Sequence, residues 1–192
     1  GNLDPLPIAV SPLYVEPGSK KVKIQGKVIE DIGEKISEVI EGNFKRSGLF
    51  NPLKKESFVQ EPDVAHMKPR FEDWKLIKVQ HLVAGTIDIN NDSIKVEFRI
   101  YDVLTQSQLT GKRYETGIDN WRRVSHIISD EIFERITGDS GYFDTRIVYI
   151  AESGQLGKKQ KRLAIMDQDQ FNHRFLSDGS YMVLTPRFSP NS

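Results

Sequence analysis

Four histidines, His66, His81, His126 and His173, are the side chains best suited to ligate a metal or move a proton near neutral pH. None stands in an HExxH or similar spacing that would put two ligands on one helix face. Ser125 and His126 are adjacent in a helical pattern. Neighbours on a helix point about 100° apart, a poor arrangement for a nucleophile and its base, and no GxSxG turn is present. His126 therefore reads as a surface or boundary residue. Asp130, Glu131 and Glu134 read as a solvated helix face shared with Arg135. Asp167 and Asp169 have the spacing of a calcium loop without its remaining ligands, and they fit a hairpin turn better. With no cysteine, thiol catalysis, disulfides and cysteine metal sites are excluded. No catalytic residue, metal or cofactor is assigned.

Two basic runs remain: Lys20, Lys21, Lys23 and Lys27, and the stretch Lys158 to Arg162. Neither adjoins a phosphate-cradling glycine loop, nor are aromatics interleaved with them. Lys plus Arg equals Asp plus Glu at 27 each, so no global field draws the chain to a phosphate backbone. Both runs read as solvated turns. A small α+β nucleic-acid-binding domain is the rival reading, to be judged by a salt-dependent shift of labelled RNA. No apolar run approaches the roughly 18–20 residues that span a bilayer.

The elements that would carry these residues follow from periodicity. Leu6 to Leu13 reads as a short strand with prolines near its ends, and residues 14–27 as a solvated loop. From Val28 to Arg46 apolar residues step by three and four (Ile29, Ile32, Ile36, Ile40, Phe44), which predicts a helix ended by Gly48. Gly33 lowers helix propensity and is consistent with a later start. Phe50 to Leu53 begins a second strand, with Pro52 placing it at an edge. Residues 54–69 read as a long loop, followed by helical turns in which Trp74 shares a face with Phe71 and Ile77.

Leu82 to Ile89, Ile94 to Tyr101 and Leu109 to Thr116 form a meander. In its middle strand Ile94, Val96, Phe98 and Ile100 alternate with Lys95, Glu97, Arg99 and Tyr101, so one face is wet. A second amphipathic helix, capped by Asp119 or Asn120, carries Trp121, Val124, Ile128, Ile132 and Ile136, widened by Ile127 and Phe133. This order gives an α+β fold: a mixed/antiparallel sheet with two main helices on one face. After Gly138, Ser140 and Gly141 the apolar period changes from helical to alternating. Short strands from Thr145 onward, spaced by turns, suggest a propeller blade. The division is residues 1–141 and 142–192.

Several segments, in order, resemble the TolB family: PIAVSPL at 7–13, RSGLFNPL at 46–53, LVAGTI at 82–87, DEIFERITG followed by GYFDTRIVYIAESG, RLAIMDQDQFNHRFL at 162–176 and LTPRFSPNS at 184–192. The chain departs from the family pattern at Gln170, where glycine is common, and at Asn191-Ser192, where Asp-Gly is usual. The resemblance implies a TolB-like N-terminal domain followed by about one blade of a truncated β-propeller. It implies a non-enzymatic periplasmic adaptor of the Tol-Pal system, supporting outer-membrane integrity and cell division. Its implied partners are the Pal lipoprotein and TolA, with colicins in some bacteria. It also implies a leader ahead of Gly1, removed on export. Pal docks on the family's propeller, so weak or no Pal binding is expected of one blade, and the unpaired blade edges are expected to self-associate. The family's N-terminal arm, which contacts TolA, maps at or before Asn2, Leu3, Asp4 and Pro5.

Overall fold

The computed structural model describes residues 4–155, 159–181 and 185–189. Two compact units divide the chain, residues 1–141 and 142–192.

The first unit is built on a six-stranded mixed sheet. Strand β1 (Leu6–Val10) lies one strand in from the edge, parallel to β5 (Phe50–Pro52) on its outer side and to β6 (His81–Asn90) on its inner side. Antiparallel strands β7 (Ser93–Asp102) and β8 (Ser107–Gly117) extend the sheet beyond β6, in the order β5-β1-β6-β7-β8. Strand β2 (Tyr14–Val15) resumes the line of β1 along β6, pairing Tyr14 with Thr86. Pro12, without an N–H, stands in the break between them.

Helix α1 (Ile32–Ser47) starts later than its apolar stripe predicts, and the reason is local. Asp31 caps it, its carboxylate accepting from the Glu34 N–H at 3.0 Å. Gly33 is required by close approach, because a Cβ there would lie 2.0 Å from the Leu13 carbonyl oxygen. The first helical turn therefore rests directly on the backbone between β1 and β2, and the Ser37 hydroxyl donates to the Ser11 carbonyl at 2.9 Å. Gly48 ends the helix with φ 71°, as expected of a left-handed cap. Two short helices follow in the chain, α2 (Pro62–Met67) and α3 (Phe71–Leu76). Helix α4 (Trp121–Thr137) packs beside α1 on the same face of the sheet. Asn120 sits at the α4 cap position, but its amide donates to the Thr116 hydroxyl at 3.1 Å and makes no capping bond.

The alternation along β7 is realised: Ile94, Val96, Phe98 and Ile100 are all 0% exposed. They meet α4, while Phe44, Phe50 and Phe133 form a tilted aromatic cluster with centroids 4.8 and 6.1 Å apart. Burying such side chains contributes about 1.5–3 kcal/mol each.

Three further features differ from the sequence expectation. Residues 14–27 are not a plain loop: β2 lies within them, and β3 (Val22–Ile24) and β4 (Lys27–Ile29) form a hairpin. Residues 54–69 are not a loop throughout, since they contain α2. The second sheet face is only partly wet. Helix α3 brings Trp74, fully buried, against Ala9, Leu82, Val79 and Val103, with Phe58 edge-on to its ring at 5.5 Å.

The second unit is a three-stranded antiparallel sheet, β9 (Arg146–Ser153), β10 (Gln160–Asp167) and β11 (Arg174–Phe175), ordered β11-β10-β9. Among the described residues no helix is long and apolar enough to cross a membrane.

Candidate partner-binding surfaces

The groups singled out for chemistry are occupied within the fold. Ser125 and His126 lie on α4, but both are buried, so His126 is not the surface or boundary residue its polar neighbours imply. Asn43, from α1, explains this. Its amide nitrogen donates to Ser129 Oγ at 2.8 Å and lies 3.0 Å from His126 Nδ1, while its oxygen accepts from Arg46 at 2.5 Å. An amide nitrogen only donates, so Nδ1 accepts and the imidazole proton sits on Nε2. Ser125 Oγ donates to the Trp121 carbonyl at 2.9 Å and Ser129 Oγ to the Ser125 carbonyl at 2.8 Å. The result is a polar bolt between two helices. No sequence spacing announces it, because its members lie 83 and 86 residues apart.

His66 on α2 stacks on Tyr14 at 6.1 Å with rings nearly parallel. Burial lowers its pKa, and the Arg99 charge adds to the effect. His81, opposite Asp102 in the β6–β7 register, is likewise lowered by burial, partly offset by that carboxylate. In both, burial disfavours the charged form of the imidazole. Glu41 is the most perturbed carboxyl. Desolvation raises its pKa to about 7, against the pull of Lys55, with Glu38 and Glu34 adding to the rise.

The basic runs are largely paired. Lys20 reaches Asp31 at 3.4 Å and Lys21 reaches Glu30 at 3.0 Å. Lys158 lies outside the described residues. Lys159 and Lys161 flank Glu152 at 3.0 and 3.1 Å, which holds that carboxyl below its usual range. The run is not a solvated turn throughout, since Gln160 to Arg162 already belong to β10. Arg162 lies over the Phe175 ring, 3.6 Å from its centroid. In the following turn Asp167 accepts from Asn172 at 2.5 Å and Asp169 from the Phe171 N–H at 3.3 Å. Gln170, at the glycine position, adopts φ 71°.

What remains outward is surface. Asn2 and Leu3 lie outside the described residues; Asp4 and Pro5 are exposed and lead into β1. A shallow cavity of about 290 Å³ opens beside β2, with Pro12, Tyr14 and Pro17 on its apolar side and Glu61 and Asp63 at its acidic rim. The wet face of β7–β8 carries an ion-pair ladder, Glu97 holding Arg99 at 2.7 Å and Arg113 at 3.1 Å. On the other face Glu131 of α4 binds Lys112 and accepts from the Tyr114 hydroxyl at 3.1 Å. Burial and that carboxylate raise the Tyr114 pKa to about 12. The second unit exposes Phe171, Phe175, Tyr181 and Phe188.

Comparison with known proteins gives concordant matches. The model of the TolB amino-terminal domain matches residues 1–109, and that of the TolB beta propeller domain matches residues 133–192. The Tol-Pal system protein TolB of Pelagibacter ubique (strain HTCC1062) is 53% identical over 192 residues, covering 100% of this chain and 43% of that protein. The chain thus spans about two fifths of the length of this curated relative. The crystal structure of TolB from Acinetobacter baumannii superposes with a TM-score of 0.70 at 23% identity, covering 89% of this chain and 38% of that one.

Proposed function

This chain belongs to the TolB family, and from that premise we propose that it is a non-enzymatic periplasmic adaptor of the Tol-Pal system. The observation that carries the proposal is the identity of 53% to a Tol-Pal relative along all 192 residues. The chemistry of the interior supports it. Ser125, His126, Asp167 and Asp169, the residues most open to a catalytic reading, are hydrogen-bonded within helix packing or a turn.

In this reading residues 1–141 are the TolB-like N-terminal domain and residues 142–192 open the propeller. Pal and TolA are the partners, and the role is support of outer-membrane integrity and cell division. Asn2, Leu3, Asp4 and Pro5 belong to the segment that meets TolA. An extended arm ahead of a strand suits this use, because it can add to a partner's sheet edge through main-chain hydrogen bonds. Pal contacts fall mainly on propeller blades beyond the one present here.

The test is capture on immobilised TolA and Pal periplasmic domains. The chain is expected to be retained by TolA, with retention lost on deleting residues 1–5. Pal is expected to hold it at least ten-fold more weakly than it holds the longer Pelagibacter relative. Equal, saturable binding to Pal would overturn the assignment of that surface to the later blades. Retention on TolA unchanged by the deletion would overturn the role of Asn2 to Pro5.

A further inference from the structure

The outer edge of the first unit's sheet is β8, and the order of its backbone groups can be read from one bond. The Ile118 N–H donates inward to the Asp92 carbonyl at 2.7 Å. In an antiparallel pair, inward and outward groups alternate residue by residue. Thr116, Tyr114 and Lys112 therefore spend their main-chain groups on β7, in register with Ile94, Val96 and Phe98. Gly111, Arg113, Glu115 and Gly117 turn theirs outward. The same parity puts Leu109 outward, at the register shift opposite Ile100 and Tyr101. Its carbonyl is already taken by Arg135 at 3.0 Å, which closes that end of the edge.

Charged residues on an edge strand ordinarily discourage pairing with another chain. Here the two signs sit two residues apart, on the same face and both outward, so their effect depends on register. We propose that this edge pairs with β8 of a second copy about a two-fold axis, antiparallel, with Arg113 opposite Glu115 of the other chain. Outward residues must oppose outward residues, which leaves few registers. Placing Arg113 opposite Arg113 sets like charges together, and placing it opposite Gly117 sets Glu115 against Glu115. Placing it opposite Gly111 brings Glu115 against the Leu109 position that Arg135 blocks. With Arg113 opposite Glu115 the match occurs twice, and Gly111 faces Gly117 at both ends with no side chain in the way.

The ladder within each copy extends this alternation. Lys95 stands opposite Glu115 and Glu97 opposite Arg113 in the β7–β8 register. Across the joined sheets each rung then reads Lys95, Glu115, Arg113, Glu97, alternating in sign over four strands. The second copy is favoured over a foreign strand because its own sequence supplies the complementary charges in the only matched register. The opposite edge, β5, is three residues long and includes Pro52, which has no N–H to offer.

Sedimentation of the full chain tests this. The weight-average mass is expected to climb with concentration from 22.0 kDa toward twice that value, and less so at high salt. Arg113→Glu and Glu115→Lys are each expected to lose this association, since either sets like charges in the matched rung. Mixed in equal amounts they should associate. The carboxylate introduced in the first variant then meets the ammonium introduced in the second, and the first variant's Glu115 meets the second's Arg113. Any loss of fold within a variant is common to the separate and mixed samples. A wild-type chain that stays monomeric, leaving the edge to a foreign strand, overturns the proposal. So does association undiminished in the single variants, which would assign it to the blade edges, or a mixture no more associated than its parts.

Discussion

The two units use apolar residues in opposite ways. The first closes them in: Trp74, Phe44, Phe98 and the isoleucines of β7 are buried on two sides of one sheet. The second leaves most of them out. Among its described residues only Phe143 and Ala164 are buried hydrophobics, while Tyr181 is 81% and Phe171 and Phe188 are 56% exposed. A three-stranded sheet has no second layer of its own. In repeat architectures each unit buries its face against the next one, so the apolar face is a seam rather than a core. The first unit is organised to stand alone and the second to be continued.

Amide exchange should give the largest contrast. The central amides of β6 and β7 are expected to exchange at least 100-fold more slowly than those of β9 and β10, as protection follows buried contact. Equal protection in both sheets would break the comparison. Trp74→Ala sharpens it, with an expected loss of about 3–5 kcal/mol in urea unfolding of the first unit. Exchange in β9 and β10 should not change.

The sequence shows the first unit's main core well, and for a physical reason. Ile94, Val96, Phe98 and Ile100 lie on one long strand, and the α1 stripe covers more than three turns, so periodicity outweighs noise. Shorter elements give no such repeat: β2 has two residues, and β3 and β4 three each. Their pairing is decided by partners far along the chain. The same holds for the candidate sites. His126 sits among Arg122, Arg123 and Asp130 in sequence, which makes it look wet, yet Asn43 of another helix draws it inside. The Trp74 core was legible only as a shared face with Phe71 and Ile77; that it covers the sheet's second side depends on Ala9 and Leu82.

Two smaller effects refine the contrast. Glu41 has its folded pKa raised to about 7 while its unfolded value is near 4.5. Between these values the folded state binds the extra proton, so stability falls as pH rises through that window. Glu41→Gln should remove this slope, with a gain on the order of 1 kcal/mol at pH 8 and none below pH ~4.5, read from urea midpoints across pH. A slope unchanged in the variant would place the titration elsewhere. The smallest effect belongs to the second unit. Gln170→Gly relieves a left-handed backbone and should add up to about 1 kcal/mol of local stability, seen as slower exchange at Asp167 and Gln170.

The place of β1 has a mechanical consequence. The chain enters the first unit through an interior strand of its sheet, with parallel neighbours on both sides. A pull on the segment ahead of Leu6 runs along the axis of that strand, loading the bonds to β5 and β6 together in shear instead of peeling them one at a time. Tension at that end of the chain is thus shared between two rows of main-chain bonds.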